Sequence, residues 1–376
     1  MHMRIVFTCG GTGGHINPAI AVAKLCRERM PDCEILFMGA EDGMENKLVP
    51  REGFRLETLK ISNFQRKLTP AGIWHNVATL AHMAGSMQKA KKIIRAFRPD
   101  VIVGTGGYAS FPALKMGAKL GIPTAVHESN AVPGLTTRMV AGDVDRIMVS
   151  FEDSRSQYTR PERVQVTGTP VREEFLYTDR QQARTELGLD EKPLIISAWG
   201  SLGAREMNKK IAVFLQEEAQ DGLFRHVHAT GSYGWRWMPA YVKDLGLDLE
   251  QYPQLEMREY IYNMPQLMAA ADLIICRAGA ATISEVCASG TPCIMVPSPN
   301  VTDNHQEKNA RVLEKHGAAL VIREAECTGE SLYAAAKELL SDPDRLRTMR
   351  SAAREMAVVD AAEQIYGVIR ELTDRR

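Results

Sequence analysis

Short apolar, β-branched runs recur along the chain, each followed by a stretch whose apolar positions return at helical spacing. In the first half the runs at 4–9, 34–39, 100–105, 123–127, 146–150 and 164–167 read as strands. In the second half the strands are expected at 194–199, 225–230, 255–260, 272–276, 292–296 and 318–322. Between them the pattern predicts helices at 17–29, 72–97 and 112–120, then at 204–220, 281–289 and 303–316. The tail from 331 to 372 reads as helix, divided at Pro343. Strands alternating with helices predict βα units around parallel sheets, an α/β class. The first series of units ends near Arg163–Pro170, where a charged helical connector begins, so two doubly wound Rossmann-like domains are expected, 1–165 and 166–349. With the carboxyl ends of both sheets turned to an interdomain cleft, ligands would bind there.

Composition narrows the class. Lys+Arg and Asp+Glu both number 46, so the formal net charge is zero, which argues against a general nucleic-acid binder. The 45% hydrophobic and 24% charged content is that of a globular protein with material for two cores. The 7 cysteines are scattered without a CxxC pair, so neither a disulfide framework nor a zinc site is predicted. Met1-His2-Met3-Arg4 runs directly into an apolar strand, leaving no room for a secretory leader, and no long apolar run predicts a membrane span. A cytoplasmic location is expected.

The chemistry is concentrated in loops after strands. Gly10-Gly11-Thr12-Gly13-Gly14-His15-Ile16-Asn17-Pro18 allows close backbone approach to a ligand, and Asn17 with Pro18 predicts a helix start whose free N–H groups favour an anion or sugar phosphate. Ile16 occupies the third glycine position of the dinucleotide fingerprint, and no Lys-Ser/Thr completes a Walker loop, so a nicotinamide dehydrogenase and a P-loop NTPase are both disfavoured. His15 ends the loop, where an imidazole could act as general base or simply hold the turn. Gly104–Pro112 repeats the strand, glycine turn and Pro-started helix, and His127-Glu128-Ser129-Asn130 is a polar run suited either to sugar hydroxyls or to capping the next turn. In the second half Trp199-Gly200-Ser201-Leu202-Gly203 is another glycine loop, and a helix opening near Thr282 after Arg277–Gly279 would aim N–H groups at phosphate. Glu285, one turn into that helix, could accept ribose hydroxyls or merely complement the helix dipole. Asp143-Val144-Asp145 resembles a metal-binding DxD but reads as a turn before a strand.

These segments, GGTGGHINPAIAVA at 10–23, VGTGGYASFPA at 103–113, HESNAVPGLTTR at 127–138, GTPVR at 168–172, GSLGAREMN at 200–208, RAGAATISEV at 277–286 and DNHQEKNA at 303–310, resemble the MurG family in order and over nearly the whole chain. The resemblance implies a GT-B fold, with a final helix at about 350–376 returning to the first domain. It implies an inverting transferase that moves GlcNAc from UDP-GlcNAc to the C4 hydroxyl of MurNAc in undecaprenyl-linked lipid I, giving lipid II for peptidoglycan. Carried over by motif, the substrate contacts would be Thr12, Gly13, Gly14, Asn130, Arg172, Ser201, Ile261, Ala280, Ala281, Thr282, Ile283, Ser284, Glu285, His305 and Gln306. His15 or Glu128 would take the acceptor's proton, and no cofactor or metal is required. His305 stands where the family has a glutamine, and Leu202 replaces another. The alternatives are another GT-B transferase or an epimerase with a soluble substrate, or a nucleotide-sugar sensor without catalysis.

Lys60, Arg66, Lys67, Lys89, Lys91, Lys92, Arg95 and Arg98 carry all the charge of 60–99, which has no Asp or Glu. With Phe64, Leu68 and Trp74 beside them they predict a peripheral patch for an anionic membrane surface at the cytoplasmic face. Ile73, Val77, Leu80, Ala84, Met87, Ile94 and Phe97 form a helical stripe expected to pack on the sheet.

Overall fold

The computed structural model describes the backbone of residues 2–61 and 70–374, and the side chains of these except 70–81 and Thr302. Two compact units emerge, Met1–Val171 with Val358–Arg376, and Arg172–Ala357. In the first unit the strands are β1 (Arg4–Thr8), β2 (Glu34–Ala40), β3 (Arg55–Leu59), β4 (Val101–Gly104), β5 (Thr124–Glu128), β6 (Arg146–Val149) and β7 (Val164–Val166). All pair in parallel in the order β3-β2-β1-β4-β5-β6-β7. Its helices are α1 (Gly13–Arg29), α2 (Glu45–Arg51), α3 (Pro70–Phe97), α4 (Ser110–Lys119) and α5 (Leu135–Val140).

The second unit holds short helices α6 (Glu174–Tyr177) and α7 (Arg180–Glu186) before its sheet. Its strands are β8 (Leu194–Ala198), β9 (Arg225–Ala229), β10 (Leu255–Arg258), β11 (Leu273–Cys276), β12 (Cys293–Met295) and β13 (Ala319–Val321). They too are parallel, in the order β10-β9-β8-β11-β12-β13. Helices α8 (Arg205–Asp221), α9 (Ser232–Trp235), α10 (Met238–Asp244), α11 (Met264–Ala270), α12 (Ala280–Ser289) and α13 (His305–Lys315) connect them. The tail forms α14 (Gly329–Leu340), α15 (Pro343–Glu355) and α16 (Ala361–Asp374).

The central strands are mostly apolar because both faces are covered by helices. Along β1, Ile5 and Phe7 enter one core with Val22 and Cys26 of α1, while Val6 enters the other with Leu114 of α4. From α16, Ile365, Val368, Ile369 and Leu372 complete the first of these cores, and Arg146 pairs with Glu371 at 2.7 Å. Of the α3 stripe, Ile94, Met87 and Phe97 join the second core, whereas Ala84 is exposed and Met83 packs instead.

Three expectations are corrected. Strand β3 was not foreseen: it is an edge strand in which Arg55 is exposed and Glu57 half-buried, so it lacks a continuous apolar run. The seams lie at Val171/Arg172 and Ala357/Val358 rather than at 165/166 and 349/350. The chain beyond β7 stays with the first sheet, where His127 Nε2–H donates to the Gly168 carbonyl at 2.8 Å, and α15 packs on α12 in the second unit. The tail is three helices, because the chain breaks again between Glu355 and Ala361.

Candidate active site

In a doubly wound sheet the ligand crevice opens at the carboxyl ends of the strands where the order reverses. In the first unit that point lies between β1 and β4, and in the second between β8 and β11. The loops that follow these four strands are the glycine-rich segments 9–12, 105–109, 199–204 and 277–279.

The first loop enters α1 earlier than predicted. Thr12, not Asn17, is the N-cap, in extended conformation, and its carbonyl accepts the N–H groups of His15 at 3.0 Å and Ile16 at 3.2 Å. Pro18 therefore sits inside the helix, where it is buried, and has no N–H to offer the Gly14 carbonyl. The consequence is chemical. The open amides belong to Thr12, Gly13 and Gly14, and His15 lies on the first helical turn. The parallel prediction for Pro112 shifts in the same way: α4 begins at Ser110, whose hydroxyl donates to the carbonyls of Thr8 at 2.9 Å and Gly106 at 2.6 Å.

His15 is clamped between these loops. Its Nδ1 lies 3.1 Å from the Thr105 carbonyl oxygen, and the Thr105 hydroxyl donates back to the His15 carbonyl at 2.6 Å. A carbonyl only accepts, so Nδ1 carries the proton and Nε2 is the acceptor nitrogen of the ring. The fit requires bare backbone opposite: a Cβ on Gly106, at φ +101°, would stand 2.6 Å from Nδ1, and one on Gly107 would stand 2.1 Å from the Gly10 carbonyl oxygen. Thr105 escaped the sequence reading as a site residue; its place inside a glycine turn was the available signal.

Glu128 takes a different part. Oε1 accepts from the Asn130 N–H at 3.0 Å and its Nδ2 at 2.9 Å, while Oε2 accepts from Gly134 N–H at 2.9 Å and the Thr137 hydroxyl at 2.6 Å. Four donors fill the acceptor sites of a carboxylate that is buried, so this geometry holds Asn130 and the start of α5 and leaves no lone pair for proton abstraction. His127 is buried as well, and burial pushes its imidazole below the ordinary range against the pull of the Gly168 carbonyl. Asp143 and Asp145 lie at the amino end of β6, bonded to Lys115 Nζ at 2.6 Å and to Thr124 N–H at 2.8 Å.

In the second unit α12 opens at Ala280 with Gly279 as N-cap, so the N–H groups of Ala280, Ala281 and Thr282 face the end of β11. The Gly200–Gly203 turn is tied to the next loop, Ser232 N–H donating to the Ser201 carbonyl at 3.0 Å, and leaves the Ser201 side chain exposed. Ile261 is buried, consistent only with a backbone contact, while the neighbouring Tyr260 is half exposed. Glu285, half-buried on α12 with Ile283 inward and Ser284 beside it, has its carboxyl raised to about 7 by desolvation, opposed by the nearby Arg172 guanidinium. Arg172 is exposed and lies 5.1 Å over the Phe175 ring. Helix α13 begins at His305, after Asp303 and Asn304 in left-handed conformation, and the Gln306 side-chain oxygen accepts the Ser298 N–H at 2.9 Å.

The chain matches the Glycosyltransferase family 28 N-terminal domain over residues 5–149 and the Glycosyltransferase family 28 C-terminal domain over 195–365. It is 42% identical to the UDP-N-acetylglucosamine--N-acetylmuramyl-(pentapeptide) pyrophosphoryl-undecaprenol N-acetylglucosamine transferase of Thermoanaerobacter sp. (strain X514), covering 99% of this chain and 100% of that one. The transferase of the same name from Bacillus pumilus (strain SAFR-032) is 38% identical, covering 99% of this chain and 100% of that one. Among solved structures, MurG of Acinetobacter baumannii superposes with a TM-score of 0.77 at 25% identity, covering 98% of this chain and 99% of that one. A putative UDP-N-acetylglucosamine 2-epimerase of Listeria monocytogenes shares the fold, at a TM-score of 0.68 and 15% identity, covering 100% of this chain and 98% of that one. With two parallel doubly wound units, glycine loops at both switch points and full-length identity to these transferases, the chain belongs to the MurG family of GT-B glycosyltransferases.

Proposed function

We propose that this protein transfers GlcNAc from UDP-GlcNAc to the C4 hydroxyl of MurNAc in undecaprenyl-linked lipid I, with inversion, giving lipid II. The observation that carries the reaction step is the His15–Thr105 clamp, which keeps the proton on Nδ1 and so makes Nε2 the acceptor nitrogen of the ring. In this scheme Nε2 takes the proton of the acceptor hydroxyl as its oxygen attacks the anomeric carbon and the bond to the UDP oxygen breaks. In the first unit, the amides of Thr12, Gly13 and Gly14 and the Asn130 side chain are the groups offered to substrate. Charge developing on the leaving UDP is met by the α12 amides, the Ser201 loop and Arg172, not by a metal ion. Ile261 reads the base through its backbone, Glu285 accepts the ribose hydroxyls, and His305 with Gln306 stands at the sugar. The filled acceptor sites on Glu128 favour His15 over that carboxylate as the base.

The acceptor named for the relatives is attached to undecaprenol, which supports a reading of the protein as working against a membrane surface, at its cytoplasmic face. Among the described residues no helix is long and apolar enough to cross a membrane. Lys92 and Arg95 of α3 and Arg98 just beyond are exposed and Lys91 is half-buried, while Lys89 reaches Glu41 at 3.6 Å. Phe64, Arg66, Leu68 and the Trp74 side chain, assigned to the same patch from sequence, lie outside the described residues.

Transfer of labelled GlcNAc to a lipid I analogue tests the reading, comparing wild type with His15→Ala. A lipid II-type product is expected from wild type. The variant should lose roughly 10²- to 10⁴-fold in kcat with UDP affinity unchanged. UDP-GlcNAc bound but never transferred, beside an active control enzyme, would give the site to a soluble substrate or to sensing.

A further inference from the structure

Beneath the first glycine loop lies a buried acid that the reaction scheme does not use. Glu45, the first residue of α2, is 0% exposed. Its Oε1 accepts the Ala40 N–H at 2.7 Å, at the end of β2, and its Oε2 accepts the Gly11 N–H at 3.3 Å. Among the described residues no lysine or arginine pairs with it. Burying a carboxylate on two backbone amides is costly, and folds keep such a group where its acceptors are needed.

The surroundings are cleared for it. A Cβ on Gly43 would stand 2.1 Å from Oε2, one on Gly39 2.5 Å from its Cγ, and one on Gly10 2.8 Å from Oε1. The loop of residues 40–45 that carries it is itself fastened, with Asn46 Nδ2 donating to the carbonyls of Ala40 at 2.8 Å, Glu41 at 2.9 Å and Gly43 at 3.0 Å. On the other side of the glycine loop, Gly11 adopts φ +91° with Tyr108 against it. The acid therefore grips the one residue whose left-handed turn redirects the chain into Thr12, the N-cap of α1.

We propose that Glu45 is a positioning residue for sugar transfer: by holding the Gly11 amide inward it sets the turn that presents the Thr12–Gly14 amides and the His15 ring. Two clamps then fix that ring, Thr105 at its nitrogen and Glu45 through the backbone four residues earlier. The role requires two acceptor oxygens. In Glu45→Gln the side-chain NH2 must face one of the two backbone donors, and the turn is released. This inference rests on the transferase reading above.

The test measures kcat for lipid I analogue, UDP affinity, and the Gly11 amide resonance of ¹⁵N-glycine-labelled protein. Two variants are compared with wild type. Glu45→Gln removes an acceptor, and Gly43→Ala crowds the carboxylate without altering it. Both are expected to lower kcat about ten- to a hundredfold, the effect of a small misplacement of reacting groups. UDP affinity should stay within about twofold, because the second unit holds most of the proposed donor contacts. The Gly11 resonance should move upfield as its bond to a charged acceptor is lost. A purely structural role predicts instead that kcat returns to wild type at 10 °C, where a weakened fold recovers; that recovery overturns the proposal. So does a wild-type kcat in both variants, or an unmoved Gly11 resonance. If wild type itself transfers nothing, the transferase reading falls first and this role falls with it.

Discussion

A histidine in a glycine loop becomes a base only when something decides which nitrogen carries its proton. Here the Thr105 carbonyl decides it, and nothing in the order of residues places Thr105 against His15. The same holds for the polar run 127–130. Its residue types were legible, but a sequence gives neighbours and not directions. It could not separate a proton acceptor from the four-bonded hub that Glu128 proves to be. Glu285 supplies the prediction at this scale. Burial holds its carboxyl near 7, so it is largely protonated at pH 6 and largely ionised at pH 8. Ribose hydroxyls donate best to the ionised form, so binding should release a proton and tighten as pH rises through 7. Between pH 6 and 8 the carboxylate fraction grows about tenfold, which bounds the gain in affinity. Calorimetric titration with uridine, which has no group ionising in this range, should show the rise in wild type and a flat profile in Glu285→Gln. A flat wild-type profile would remove Glu285 from the ribose.

At the scale of elements, legibility followed burial. The strands flanked by helices on both faces announced themselves as apolar runs, and all six of the second sheet lie where the pattern put them. The edge strand β3 carries Arg55 and Glu57 and went unread, because one side of an edge needs no apolar side chain. Local rules also yielded to context at α1, where Asn17-Pro18 has the form of a helix start. Two helical glycines extend the helix back to Thr12, and the buried Pro18 is carried inside it. A start that does follow its local signal is that of α14. Thr328 accepts the Ser331 N–H at 3.1 Å while the Ser331 hydroxyl accepts the Thr328 N–H at 2.8 Å. Leu332, Tyr333, Ala336 and Leu339 of that helix share a core with Phe214 of α8. Thr328→Ala should cost about 1 kcal/mol. Denaturant titration should show a lower midpoint with an unchanged slope.

At the scale of the whole molecule, one strand order is written twice: each sheet reverses beside its first strand, and each reversal carries a glycine loop. The repeat was legible in the alternation of elements, and with it the placing of chemistry at strand ends. The return of the final helix to the first unit came from the family resemblance and not from the pattern, because a helix of alternating apolar and polar turns can cover either sheet equally well. Its assignment is settled by contacts. Helix α16 packs on α1 and completes the core behind Ile5 and Phe7, so residues at the far end of the sequence stabilise the sheet that carries His15. Ile365 is fully buried there, and Ile365→Ala should cost about 2–5 kcal/mol through lost apolar burial and the cavity left behind. That loss belongs to the first unit. Near the variant's lowered melting temperature, limited proteolysis should cut within residues 1–171 while 172–357 stays intact, and transfer activity should decline before UDP binding does. Simultaneous loss of both, with cuts spread through the chain, would mean that the two units unfold as one and that α16 stabilises more than the sheet it covers.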